Sequence, residues 1–196
     1  MCLLVETFRI ENGDIQIVEY HEERMNGARW ELFGCRDWIA AETFISPPKN
    51  GLYKCRALYK REIEKVEYVP YILNRPRSLR IVENNDIDYS YKYADKSEFK
   101  TLLSQKGNCD DILIIKHGFV TDISRANIAF FDGKNWLTPD TPLLYGTKRA
   151  YLLDCGKIQE ATIKRDDIKR FKKAVIFNTM IDLEDKVEID IDNIIE

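Results

Sequence analysis

The apolar residues of this chain fall in short runs, and turn-forming sequences end each run before it outgrows a strand or a brief helix. "LLVETFRI" and "IQIVEY" flank "ENGD", whose residues tolerate positive φ, so the pair reads as a hairpin. "HEERMNGARWELFG" follows, with Met25, Trp30, Leu32 and Phe33 at roughly helical spacing and Gly34 as the stop. A second short helix is expected around "RDWIAAETF", closed by the paired prolines of "SPPKNG". "LYKCRALYK" and "KVEYVPYIL" alternate and are joined by "REIE", a second hairpin. "NRPRSLRIVENND", punctuated by proline and asparagine, reads as a connection and as the place for a domain boundary, dividing residues 1–75 from 76–196.

Past that boundary the pattern changes. In "IDYSYKYADKSEF", Ile87, Tyr89, Tyr91 and Tyr93 share one face of an expected strand, and Lys92 stands on the other with Asp88 and Ser90. A helix is expected near "KSEFKTLLSQKG", ending at Gly107. "DILIIKHGFVTDI" and "NIAFFDGKNWLTP" read as short strands linked by glycine turns. A loop and a helix starting near Gly146 follow in "TPLLYGTKRAYLLDCG", then strands at "KKAVIFNTMID" and "VEIDIDNI". The inventory is α+β in the first half and mixed α/β in the second.

Composition narrows the function classes. Across 196 residues, 44% hydrophobic and 32% charged content is that of an ordinary globular protein. No apolar run reaches the roughly 18 residues of a membrane span, and the N-terminus reads as a first strand rather than a secretion signal. Five scattered cysteines and two histidines, His21 and His117, show no metal-site spacing, so no metal is expected and a cytoplasmic setting is. A net charge of -3 argues against nucleic acid as a partner. On alternation alone Lys92 has two readings, a solvated lysine on an outer sheet face or an amine held for chemistry.

Residues 110–149, "DDILIIKHGFVTDISRANIAFFDGKNWLTPDTPLLYGTKR", resemble the class IV aminotransferases and lyases, the fold-type IV pyridoxal-phosphate enzymes. The matching pattern is an acidic and hydrophobic strand, then G-x-(I/V)-T-E-x-x-x-x-N-(I/L)-F, then T-P, then L-x-G-(I/V)-(T/M)-R. "YKYADKSE" resembles that family's cofactor-lysine segment, "ETFRIENG" with "HEERM" its first strand, hairpin and H-x-x-R-(L/M) helix start, and "AVIFNTMID" its late strand. The four segments occur in the family's order along nearly the whole chain.

The resemblance implies two α/β domains of the D-amino-acid aminotransferase type, mixed sheets with helices, an active site in the interdomain cleft and a homodimer. It places the lysine in the second domain and resolves the two readings in favour of chemistry. Lys92 would join the aldehyde of pyridoxal 5'-phosphate and, once exchanged for a substrate amine, serve as general acid and base. Asp122 stands where the family has glutamate, one methylene shorter, and would pair with the pyridine nitrogen. Arg24, the backbone of Gly146 and Thr147, the Thr147 hydroxyl and Thr179 (or Asn178) would hold the phosphate. Asn127 would support the cofactor loop, and His21 would pack or cap its helix. Arg149 would be structural, while Lys148, in place of threonine or methionine, would be solvated. Arg56 and then Arg77 are the arginines to consider for a substrate carboxylate. Among the family's reactions, the compact chain resembles 4-amino-4-deoxychorismate lyase, which releases pyruvate and 4-aminobenzoate for folate synthesis. The alternatives are an aminotransferase for branched-chain or D-amino acids and an inactive relative that binds the cofactor or a partner.

Overall fold

The computed structural model describes residues 2–196. Its elements in chain order are β1 (Leu4–Glu11), β2 (Asp14–Ile15), α1 (Val18–Phe33), β3 (Leu52–Tyr59), β4 (Ile63–Pro70), β5 (Leu79–Glu83), α2 (Ser97–Leu103) and β6 (Asp111–Lys116). There follow β7 (Phe119–Ile123), β8 (Asn127–Phe131), β9 (Trp136–Pro139), α3 (Thr147–Asp154), β10 (Gln159–Ala161), β11 (Lys173–Phe177), β12 (Glu188–Asp190) and β13 (Ile194–Ile195). No helix among the described residues is long and apolar enough to cross a membrane. The chain forms two compact units: residues through Leu73 with Tyr91–Asp95, and Asn74–Ser90 with Lys96–Glu196.

The first unit is a four-stranded antiparallel sheet in the order β2-β1-β3-β4. Leu4, Met25, Ala28, Phe33 and Tyr59 form one apolar cluster, and Phe8, Ile10, Ala41, Ile45, Cys55 and Ala57 a second. The expected second strand "IQIVEY" is only Asp14–Ile15. Ile17 turns the chain through φ 45°, a costly conformation for a β-branched residue, and α1 begins at once. Along α1 the buried positions include the polar His21, Asn26 and Arg29, while Trp30 is 67% exposed. Arg29 is buried with four of its five N–H donors paired, to the Arg61 and Asp37 carbonyls and to the Asn26 and Asp37 side chains.

The helix expected at "RDWIAAETF" is a single 3-10 turn, Ala41–Thr43. Side chains from α1 take the backbone groups that a helix would have used. Asn26 pairs with both the N–H and the C=O of Ile39, and Glu22 accepts from the Ala41 N–H at 2.6 Å.

The Lys92 stretch is not a strand. Asp88 accepts the Ser90 N–H at 3.0 Å and turns the chain. The Tyr93 N–H then bonds the Tyr91 carbonyl at 2.9 Å, which makes Lys92 the central residue of a γ-turn. The stretch joins the first unit rather than the second, where the sequence expectation put it. Its backbone is tied to the start of β1 by Val5 N–H to Lys92 C=O, Ala94 N–H to Leu3 C=O and a bridge between Leu4 and Tyr93.

The second unit has two sheets, β10-β9-β8-β11-β12 and β13-β5-β6-β7. β5 lies inside the segment read as a connection; its Leu79 and Val82 are buried and it runs parallel to both β6 and β13. The expected strands from β6 to β9 and at β11 are present, and α3 starts after Gly146. Leu152 of α3 packs with Ala129, Ile158, Val175 and Phe177, which seats the helix on the β8–β11 pair.

Candidate active site

In the first unit the chemistry-bearing residues gather around a carboxylate. Leu4, Glu6, Phe8 and Ile10 share one face of β1 by alternation, and Glu6 is fully buried among them. Its carboxylate accepts from Arg24 Nε at 3.1 Å and Nη2 at 2.5 Å, and pairs with His21 Nδ1 at 2.8 Å. Burial alone would raise the Glu6 pKa; Arg24 and His21 outweigh it and hold the group well below the ordinary carboxylate range. His21 is buried beside the Phe8 ring, and its pKa is lowered chiefly by that burial, with Arg24 and Lys92 adding to the effect against Glu6. The imidazole is therefore neutral at pH 7 and donates its Nδ1 proton to Glu6. Arg24, His21 and Lys92 thus fall within one electrostatic neighbourhood.

Arg24 is not the solvated arginine that neighbouring Glu22 and Glu23 suggest; its side chain is 18% exposed. Glu6 is a site residue that the sequence reading passed over. The available signal was a single charge in an otherwise apolar alternating row.

In the second unit the focus is Asp122 on β7. It is buried, accepting from Asn127 Nδ2 at 2.8 Å and from the backbone N–H groups of Leu143 and Leu144 at 2.9 and 3.0 Å. Burial dominates and pushes its pKa up to about 6, against the lowering effect of those three donors and of Arg149. A carboxylate has about four acceptor positions, so the three donors leave one.

Asn127 spends its other amide hydrogen on the Leu144 carbonyl at 3.0 Å, and so joins β7, β8 and the loop before α3. That loop lies so close that a Cβ on Gly146 would stand 2.0 Å from Asn127 Oδ1. Only glycine fits there. Gly146 caps α3 without a side-chain bond, and no acidic residue occupies the first turn, which leaves the N–H groups of Thr147, Lys148 and Arg149 without helical partners. Thr147 is buried at this helix start. Phe177 pairs with Asn127 across the β11–β8 ladder, and the next residues form a turn containing Asn178 and Thr179. Asn178 is occupied in holding that turn, donating to the Arg125 carbonyl and accepting from the Met180 N–H.

The remaining candidates are placed as follows. Lys148 is buried, contrary to the solvated expectation, because Asp182 meets its Nζ at 2.6 Å and the Tyr151 ring lies beneath it. Arg149 is buried and donates to the Pro139 carbonyl and to Glu160, a bracing of α3. Arg56, half-buried on β3, has Glu67 at 3.5 Å. Arg77 is exposed, with its backbone N–H held by Asp110. Arg56 and Arg77 belong to different units.

Comparison with known proteins adds independent information. Residues 90–183 match the family model "Amino-transferase class IV". An uncharacterised Haemophilus influenzae protein is 43% identical over 92% of this chain and 98% of its own. A Schizosaccharomyces pombe protein provisionally named aminodeoxychorismate lyase is 34% identical over 87% of this chain and 69% of its own. Among solved structures, a protein from Haemophilus somnus 129PT provisionally named 4-amino-4-deoxychorismate lyase superposes with a TM-score of 0.83. It is 32% identical and covers 92% of this chain and 97% of its own.

Proposed function

The chain belongs to the class IV aminotransferase family, whose members depend on pyridoxal phosphate, and on that premise we propose that it is a lyase. The reaction would eliminate pyruvate from 4-amino-4-deoxychorismate and leave 4-aminobenzoate, a precursor for folate. The observation that carries the choice of reaction is the likeness to the Haemophilus somnus protein, which runs through nearly the whole length of both chains.

The donor set of each unit suits the cofactor. Asp122 is a buried carboxylate with one acceptor position left, the requirement for receiving an N–H from a protonated pyridine. Thr147 and its neighbours present unpaired N–H groups at a helix start that has no acidic residue, a setting for a phosphate dianion. Thr179 would add its hydroxyl and Arg24 its guanidinium, which Glu6 holds in place. When bound, the cofactor supplies an electron sink for the carbon that carries the amine.

The rest falls to the chain's own side chains. Lys92 takes the proton from that carbon and delivers it to the departing enolpyruvyl group, which leaves as pyruvate while the ring becomes aromatic. For this Lys92 must be neutral when it acts.

The test has two parts. A visible absorption titration with pyridoxal phosphate, run beside Lys92→Ala, is expected to give a saturable band that the variant lacks. Aminodeoxychorismate is then expected to yield pyruvate and 4-aminobenzoate in equal amounts. A band with turnover of an amino donor and a keto acid, but no pyruvate release, would make the protein a transaminase. A band without either turnover would make it a binding relative.

A further inference from the structure

Lys92 sits in the short stretch Tyr91–Asp95, which belongs to the first unit, while Ser90 before it and Lys96 after it belong to the second. Within the first unit the stretch is well anchored. Tyr91 and Tyr93 pack against the cluster of Leu4, Met25 and Tyr59, with their rings 6.1 Å apart and edge to face. The Lys92 carbonyl and the Ala94 N–H add their bonds to Val5 and Leu3. The freedom left to so short a stretch then depends on how its two ends are held.

The ends are joined in the second unit by one side chain. In an extended strand residues 89 and 96 would stand roughly 23 Å apart. Here Lys96 donates to Tyr89 Oη, and its Nζ lies 3.7 Å from the centre of the Tyr89 ring and 4.7 Å from that of Phe99. Both rings are buried and meet edge to face at 4.8 Å. On the departing side, Asp88 fixes the turn by accepting the Ser90 N–H. Helix physics does not call for a lysine at 96. It is the N-cap of α2 and makes no side-chain cap bond, and a cation at a helix start opposes the dipole. The ring contacts account for it instead.

We propose that Lys96 is a positioning residue for Lys92, its ammonium clamped on Tyr89 and Phe99 so that the base of the Lys92 loop stays closed. Without that cation the loop opens at its returning end, Lys92 samples more backbone conformations, and fewer encounters with the cofactor aldehyde are productive. The consequence for reaction rests on Lys92 being the residue that joins the cofactor; the hold on the loop does not.

The test uses the full chain with Lys96→Met, which keeps the stem and removes the cation, and Lys96→Arg, which returns a cation to the same rings. Lys96 is only half-buried, so neither change invades the core. Tyr89→Phe, which keeps the ring and removes the acceptor, is a second and milder variant. Amide hydrogen exchange without added cofactor reads the Val5 and Ala94 N–H groups against those of β3 and β6. In Lys96→Met, Val5 and Ala94 are expected to exchange roughly tenfold faster, the scale of one desolvated cation–π contact, with β3 and β6 unchanged. Tyr89→Phe is expected to give a smaller rise, and Lys96→Arg to stay near the parent. The rate at which the absorption band forms with pyridoxal phosphate is expected to fall by a similar factor in Lys96→Met and to recover in Lys96→Arg. Unchanged exchange at Val5 and Ala94 in Lys96→Met overturns the proposal, as does a rise shared by β3 and β6, an unchanged band rate, or a loss that arginine does not restore. A parent that forms no band overturns the reading of Lys92 instead, and the exchange rates still decide whether Lys96 holds the loop.

Discussion

Glu6 holds Arg24 at two points, Nε and Nη2, and does so from a position with no access to water. The guanidinium is thereby fixed in plane, which a lone lysine or a solvated arginine would not be. Glu6 also fixes the His21 tautomer, so one carboxylate on β1 orients both residues of the helix motif.

Removing either partner takes the counter-charge from the other, Glu6 keeping its bond to the neutral His21 when Arg24 goes, and the two losses are unequal. Arg24→Met abandons a fully buried carboxylate, whereas Glu6→Gln leaves an arginine whose side chain keeps 18% exposure and a hydrogen-bond acceptor. Loss of one partner of a buried ion pair costs about 3–5 kcal/mol. Urea denaturation is expected to place Arg24→Met at the upper end of that range and Glu6→Gln below it, and both to weaken pyridoxal phosphate binding.

Protonation of the two units pulls stability in opposite directions. His21 and Glu6 have folded pKa values below their ordinary values, so their contribution is complete above pH 6.5 and 4.5 respectively and is lost as pH falls. Asp122 is the reverse. Its pKa rises from 3.8 to about 6, so the folded state binds the extra proton and stability declines as pH climbs through that window. A shift of that size corresponds to about 2–3 kcal/mol. The stability difference between Asp122→Asn and the parent should change by this amount between pH 3.5 and 7, in favour of the variant at the higher pH. The slope is the readout, because asparagine would also set an amide against Asn127.

The approach of Gly146 to Asn127 gives a coupled pair. Gly146→Ala drives a methyl into Asn127 Oδ1 and should cost about 1–3 kcal/mol together with cofactor affinity. Asn127→Ala removes the obstacle along with a bond to Asp122. The double variant is expected to be less damaged than the sum of the singles, a non-additivity that a double-mutant cycle measures directly.

Lys148 and Asp182 should behave asymmetrically as well. The lysine side chain is 5% exposed and the aspartate 32%. Asp182→Asn leaves a buried cation without its counter-charge, whereas Lys148→Met leaves a carboxylate that water reaches. Thermal melts should rank Asp182→Asn as the more destabilised.

Much of this fold is legible from alternation and turn chemistry. The β3–β4 hairpin, the strands from β6 to β9 and the helix after Gly146 stand where "REIE", "HG", "DG" and "YGTKR" imply. What alternation misreads are stretches whose backbone groups are claimed by side chains. Asn26 and Glu22 undo a helix at residues 39–41, and Asp88 with the γ-turn undoes a strand at Lys92. β5 is hidden because proline and asparagine flank it, although parallel partners on both sides bury it. In the site, motif residues are visible one at a time. Glu6, which binds two of them together, becomes visible only once β1 and α1 are packed.

The γ-turn segment has a consequence for how this protein can be divided. The chain leaves the first unit after Leu73, returns for Tyr91–Asp95, and leaves again. No single cleavage yields both units whole. A fragment ending near residue 74 would lack Lys92 and the stretch that bonds the Leu3 carbonyl and the Val5 N–H. The complementary fragment would keep the lysine without β1, the strand that fixes its backbone. Co-expression of two such pieces restores the native topology only if the short stretch finds β1 on another chain, so the backbone setting of Lys92 depends on an uninterrupted polypeptide.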